Sequence, residues 1–441
     1  MTATPNKPRI VILGAAGEMC TIAVHRFCAA GVDVELILYD LDTDRLRDLA
    51  DSLPIQCKMG RLDIFDANAL KEAVQEATLV VLGAGPYLKT SKPVIDACLS
   101  AGVDYLDYAD DVQPTLDALT QHSRAQELGV AAYIGCGSSP GLLNIMAVDA
   151  AAEIDHVHAI DVCWCTGDEG AKPYGAAVIE HLFHIAAGEC LLWRDGRSTT
   201  VESYSTSERV DMGGTLGATT LYTCAHPESA TLPRAFPEAQ SIRVLGGLDP
   251  APVNAVARGV AVAVRDGELD TPSAIAFFQQ IMQDKLGTVR GWRYAFPELL
   301  RQVRRGEETP AGLAKFLFRS SISRHLPYRG GLVARVRGEK NGSPIEVSVQ
   351  TTLDSDAETS FLWRSMGTTT GTSIAAFMLL ALERSIKKDK GGVFSPEEWV
   401  TPPQFYEAMV RVGTPKDELP TKHTAAAEGT ASSRIPADQG D

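Results

Sequence analysis

The chain opens on a regular alternation of short apolar runs and amphipathic stretches. "RIVIL" is a continuous apolar run of strand length, and "TIAVHRFCAA" after it carries helical periodicity up to Gly31. "VELILYD" and "DTDRLRDLA" repeat the unit, with Asp and Thr as caps of the second helix. The alternation continues through "IQCKMGRLDI", "DANALKEAVQEA", "TLVVLGAG", "SKPVIDACLSAG", "DYLDYAD", "TLDALTQHSRAQELG" and "VAAYIG". Six strands with crossover helices over residues 1–145 predict an α/β domain with a doubly wound parallel sheet of the Rossmann type.

The texture changes near residue 156. "HVHAIDVCWC" reads as a strand and "AAVIEHLFHIAAGE" as a helix; Asp195-Gly196 and Asn341-Gly342 each sit between strand-like runs and mark hairpins. Helical segments fill 272–325 between them. Residues 146–365 therefore predict a second, mixed α+β domain with a largely antiparallel sheet and a helical insertion. The apolar helix within 366–390 is expected to return to the first domain, with 391–413 packing on the body. From residue 414 to 441 the chain is polar, aromatic-free and rich in Ala, Thr, Pro and Asp, which predicts a disordered tail.

Composition narrows the class. A 45% hydrophobic and 22% charged chain of 441 residues is that of a multidomain globular protein. Its formal charge of −15, without a concentrated basic stretch, argues against nucleic acid or a membrane as partner. Nine cysteines lie without framework spacing, and the Cys163/Cys165 pair lacks further ligands at metal spacing, so buried reduced thiols are expected. "MTATPNKPR" has no apolar core of a secretory leader, and the expected compartment is cytoplasmic.

Against this frame the turn "VILGAAGEMC" gains meaning. Gly14 and Gly17 follow the first strand, with Cys20 at the third small position, where dinucleotide turns carry Gly or Ala. Ala16, Glu18 and Met19 complete a turn that opens a helix, the place where backbone N–H groups meet a pyrophosphate. Asp40 closes the second strand, where a carboxylate accepts the adenosine ribose diol and repels a 2′-phosphate. This favours NAD over NADP, although Arg45 one turn on keeps NADP open. Asp63 and Ile64 in "RLDIFD", Ala84, Gly85 and Pro86 in "GAGP", and Gly137 in "GCGSSPG" occupy later strand-to-helix loops on the same sheet edge.

The segment "GPYLKTSKPVIDACLSAGVDYLDYADD" resembles the group that holds reductase-type, glutamate-forming saccharopine dehydrogenase, lysine 6-dehydrogenase and carboxynorspermidine dehydrogenase. "GCGSSPGLLNIMA", with Gly137, Pro140, Gly141 and Asn144, is similar to that group's G-x-x-PG-x-x-N segment; "HPESATLPR", "TTGTSIAAFML" and "GGVFSPEEW" also resemble it. The resemblance spans nearly residues 8–412. It implies hydride exchange at an amine or imine carbon of an amino acid or amino-acid conjugate, bound between the two domains, and a homodimer.

Such chemistry needs a proton donor or acceptor beside the reacting nitrogen. Tyr87 and Asp107 are the catalytic candidates, at the ends of the loops after the fourth and fifth strands. Asp110 is a candidate for holding a substrate ammonium, and Asp111 is expected to cap the next helix. Arg234 and His226, with Arg209 and Arg243 beside them, are candidates for a substrate carboxylate clamp, since arginine binds carboxylates bidentately. His181 and His184 read as a packed pair on a helix, since no H-E-x-x-H pattern accompanies them, and no metal is expected. None of the eleven tyrosines has lysine four residues on, which argues against a short-chain dehydrogenase. Two alternatives stay open: an enoyl-reductase-like protein reducing C=C, which would have an apolar channel, and a nucleotide-binding protein without turnover.

Overall fold

Strand β1 (Arg9–Leu13) is buried on both faces, as an inner strand of a parallel sheet must be. The computed structural model describes residues 7–167, 175–283, 285–323, 328–351, 359–387 and 390–426. After β1 come β2 (Glu35–Asp40), β3 (Cys57–Arg61), β4 (Leu79–Leu82), β5 (Asp104–Asp107) and β6 (Ala131–Tyr133). They lie side by side in the order β6-β5-β4-β1-β2-β3, all parallel. The strand order reverses between β1 and β4. There the loops part, and a crevice opens at the carboxyl ends of the strands.

A seventh strand, Gly392–Phe394, pairs parallel with the outer edge of β6. It arrives from far along the chain, after the long helix Met366–Lys387, which packs on helix Glu18–Ala29. Gly371 makes this contact possible: a Cβ there would lie 2.7 Å from both Ile22 Cβ and the Met19 carbonyl oxygen.

The mixed second sheet is present as expected. It comprises β7 (His156–Gly167), β8 (Glu189–Arg194), β9 (Arg197–Glu202), β10 (Ser207–Asp211), β11 (Ala218–Thr223), β12 (Ser241–Asp249), β13 (Gly331–Lys340) and β14 (Ser343–Gln350). The path runs β10-β11-β12-β7-β13-β14; the β12–β7 pair is parallel and the others antiparallel, while β8 joins β12 and carries β9. Asp195 and Gly196, like Asn341 and Gly342, have positive φ, which lets two-residue turns match the strand twist. Helices Thr271–Met282, Val289–Arg304 and Pro310–Ser321 form the insertion. All nine cysteines are unpaired, and burial pushes the Cys163 thiol up to about 12.

The tail departs from expectation. Thr421–Ala426 adds an antiparallel strand to β14, and Glu418 accepts hydrogen bonds from Ser360 Oγ (2.7 Å), Phe361 N (2.9 Å) and Leu362 N (2.8 Å). Edge pairing uses backbone groups and needs no apolar side chain, so composition alone does not register it.

Candidate active site

One cleft of about 650 Å³ runs from the β1–β4 crevice to the second domain. At its first end the backbone does most of the shaping. Gly14 has φ +80°, and a Cβ there would lie 2.6 Å from Ala84 N, so only glycine allows the β1 and β4 loops to touch. Gly17 precedes helix Glu18–Ala29 without a side-chain cap, leaving the first-turn N–H groups for an anionic ligand. Asp40 Oδ2 accepts from Ala16 N (2.9 Å) and Oδ1 from Asp42 N (3.0 Å), which ties the glycine turn to the end of β2. Asp42, and not Asp40, caps the next helix by accepting from Arg45 N (3.1 Å).

All of the residues expected at a dinucleotide line this one cleft: Gly14, Ala16, Gly17, Glu18, Met19, Asp40, Asp63, Ile64, Ala84, Gly85, Pro86 and Gly137. Cys20, at the third small position, is buried under Gly83 and Tyr108, and burial raises its thiol to about 12. It acts as a close-packing spacer. A cradle of glycines, a free helix start and a carboxylate at the end of β2 fit a nicotinamide dinucleotide.

The other end is made of side chains. Tyr87 begins helix Tyr87–Ala101, faces the cleft, and stacks edge-on against Tyr108 with ring centroids 5.6 Å apart. Burial raises both phenols well above their ordinary range. Asp110 lines the cleft with about a third of its side chain exposed, its Oδ2 3.4 Å from His181 Nε2. The other ring nitrogen of His181, Nδ1, lies 3.0 Å from Asp111 Oδ1. Burial by itself would lower the His181 pKa, but Asp110 and the hydrogen-bonded Asp111 raise it to about 9. Burial likewise opposes ionisation of Asp111, yet His181 and His184 hold it below the usual carboxylate range. Asp110 is raised, chiefly by burial, against the pull of His181.

A second pair stands beside this one. His226 Nδ1 lies 2.6 Å from Glu228 Oε2, Ser139 Oγ donates to Glu228 Oε1 (2.6 Å), and the His226 ring is 5.7 Å from that of His181. Glu228 is fully buried, and His226, despite burial, keeps it ionised below its ordinary pKa.

Several expectations need correction. Asp107 is buried and does not line the cleft; it accepts from Tyr105 Oη (2.7 Å), Gly135 N (2.9 Å) and Ala109 N (3.1 Å) and so clips the β5 and β6 loops together. Arg234 lies off the cleft, paired with Glu398 at 2.9 Å, because its helix turns it away from His226 and Glu228. Arg243 is held with Arg335 and Arg337 on the buried Asp161, and Arg209 is exposed on β10. Asp111 occupies the cap position of its helix but gives its side chain to His181. His181 is a cleft residue and not helix packing alone. Among the described residues, the substrate end has no lysine or arginine; Arg45 stands at the adenosine end.

Asp110, Asp111 and His181 bring one ligand atom each within 4.8 Å of one another, a spacing compatible with a metal. The contacts of both His181 ring nitrogens with carboxylates account for that closeness as an ion-pair triad.

Residues 10–132 match the family model described as "Saccharopine dehydrogenase NADP binding domain". A putative trans-acting enoyl reductase of Mycobacterium tuberculosis is 29% identical over 161 residues, 35% of this chain and 38% of that protein. Carboxyaminopropylagmatine dehydrogenase of Synechocystis sp. is 28% identical over 174 residues, 37% of this chain and 43% of that protein. The matches thus span about two-fifths of the length of these curated relatives. Saccharopine dehydrogenase (L-Glu forming) from Saccharomyces cerevisiae superposes with a TM-score of 0.61 at 13% identity, covering 95% of this chain and 100% of that one. The fold is that of saccharopine dehydrogenase, as the sequence resemblance implied. No helix of the described residues is long and apolar enough to cross a membrane.

Proposed function

We propose that this saccharopine dehydrogenase-type oxidoreductase, with its NAD(P)-binding domain, transfers hydride at a C–N bond. The observation that carries the reading is the Asp111–His181–Asp110 triad at the substrate end of the cleft. When bound, the dinucleotide supplies or takes the hydride at nicotinamide C4. The glycine turn and the start of helix Glu18–Ala29 would hold its pyrophosphate, and Asp40 its adenosine ribose. Asp40 favours NAD(H), and Arg45 on the same wall is the group that would take a 2′-phosphate.

His181, with a pKa raised to about 9, is an imidazolium at neutral pH. Its chemistry suits protonation of a substrate nitrogen while a hydride reaches the adjacent carbon, the direction from imine to amine. In the reverse direction the same group takes the proton back. Asp111 holds the ring in place. Tyr87, neutral at all working pH values, lies on the same wall as a hydrogen-bond donor.

The apolar lining by Leu182, Leu248, Phe278, Met282 and Leu332 supports a second reading, reduction of C=C in an apolar substrate. One experiment separates them. Cofactor deuterated at C4 should deliver its label to the nitrogen-bearing carbon of the product. Label on a former alkene carbon would replace the first reading by the second.

A further inference from the structure

Two properties of the substrate end favour a hydrocarbon-rich cation over an amino-acid zwitterion. Its wall is hydrocarbon and aromatic, with Trp164, Leu248, Phe278, Met282 and Leu332 contributed by β7, β12, the insertion and β13. Its carboxylate and imidazole lining is Asp110 and Asp111 with His181, His184 and His226, and the described wall carries no lysine or arginine to receive a carboxylate.

The pairing is uneven. Asp111 has His181 at 3.0 Å and His184 at 3.8 Å, and Glu228 has His226 at 2.6 Å together with the Ser139 hydroxyl. Among the described residues, Asp110 meets His181, an imidazole already shared with Asp111, at the longer distance of 3.4 Å, and about a third of its side chain opens on the cleft. A carboxylate in an apolar chamber is stabilised by a cation, and water is a poor substitute once the chamber fills.

We propose that the cleft takes a lipophilic amine, its protonated nitrogen paired with Asp110 and its hydrocarbon tail lying along Phe278, Met282 and Leu332, with no need for an α-carboxylate. The proposal rests on the C–N reading and names its substrate class. A primary ammonium at Asp110 would place its nitrogen beside His181 Nε2, the proton-handling atom, with the carbon next to it facing the dinucleotide end. The apolar wall would then select for chain length, about fourfold in affinity for each buried methylene, from ~0.8 kcal/mol per CH₂.

The test is calorimetric titration of the NADH-loaded protein with n-butylamine to n-octylamine, the matching n-alkanols, and amino acids of equal chain length. Amines should tighten about fourfold per methylene and bind at least tenfold more tightly than alkanols. Amino acids should bind no better than amines. Asp110→Asn should remove the preference of amine over alkanol while keeping the dependence on chain length, and Phe278→Ala should flatten that dependence. Amino acids binding tenfold more tightly than amines would overturn the proposal in favour of a carboxylate site; alkanols equal to amines would overturn it in favour of an uncharged substrate. Should either variant fail to fold, the series on the unaltered protein still decides. Amines deuterated at the carbon next to nitrogen that bind as expected but pass no label to NAD⁺ would remove the reaction and leave the binding site standing. Label transfer confined to carboxylated amines would do the opposite.

Discussion

The two ends of the cleft are built by different means. At the dinucleotide end, shape comes from the main chain: a glycine at φ +80°, an uncapped helix start, and a carboxylate that accepts backbone N–H groups from a turn only two dozen residues away. At the substrate end, shape and charge come from side chains distant in sequence. Asp110 and Asp111 follow β5, His181 sits on a helix of the second domain, and His226 with Glu228 begins another. The first end holds a ligand common to many enzymes and rests on local geometry. The second brings together groups from both domains and exists only once both have met.

The largest effect should appear on replacing His181. If His181 carries the proton as proposed, His181→Gln should lower kcat by roughly 10²–10⁴ with little change in dinucleotide affinity. Asp107→Asn, by contrast, should leave kcat within a few-fold and cost about 1–3 kcal/mol of stability, because its carboxylate binds loops and not substrate. A kcat loss for Asp107→Asn as large as that for His181→Gln would break the comparison between the two groups.

Next comes the pH dependence of stability. His181 rises from an ordinary 6.5 to about 9 in the fold, so it contributes stability that is fully present below pH 6.5 and is lost as pH climbs through 9. The contribution is about 3 kcal/mol, at 1.36 kcal/mol per pKa unit. Denaturant titrations at pH 6 and pH 10 should show this difference, and His181→Gln should reduce it.

At the dinucleotide end, Asp40→Ala should weaken NAD(H) binding by about 1–3 kcal/mol and narrow any preference over NADP(H). Tighter binding of NADP(H) than NAD(H) by the unaltered protein would assign the ribose end to Arg45. The smallest effect concerns the last strand. Removing residues 419–441 should lower stability on the order of 1 kcal/mol through loss of edge hydrogen bonds, whereas a tail without structure would leave the unfolding midpoint unchanged.

These contrasts also explain what was legible in the amino-acid sequence. Gly14, Gly17 and Asp40 announce themselves because strand, turn, helix and acid are consecutive and each step has a local physical cause. The hairpins at Asp195-Gly196 and Asn341-Gly342 were equally readable, since positive φ restricts which residues fit. At the end of β5 the sequence shows four polar residues in a row of five, and nothing local tells which turns inward. Asp107 was a reasonable candidate by position, but two backbone N–H groups and a phenol claim it. His181 carried a signal in its three-residue spacing from His184, yet its partners are seventy positions away. Glu228, within "HPESATLPR", carries no local signal, because only the fold shows that Ser139 and His226 meet on it.

The strand Gly392–Phe394 has a further consequence for how the molecule comes into being. A ribosome adding ~5–20 residues per second needs roughly 12–50 s to travel from residue 145 to residue 392. Throughout that interval the nascent nucleotide-binding domain carries an unpaired β6 edge, and the groove on helix Glu18–Ala29 waits for Met366–Lys387. Such an edge invites pairing with neighbouring chains. The nucleotide-binding domain expressed alone, without Met366–Lys387 and Gly392–Phe394, should therefore aggregate more readily than the whole chain.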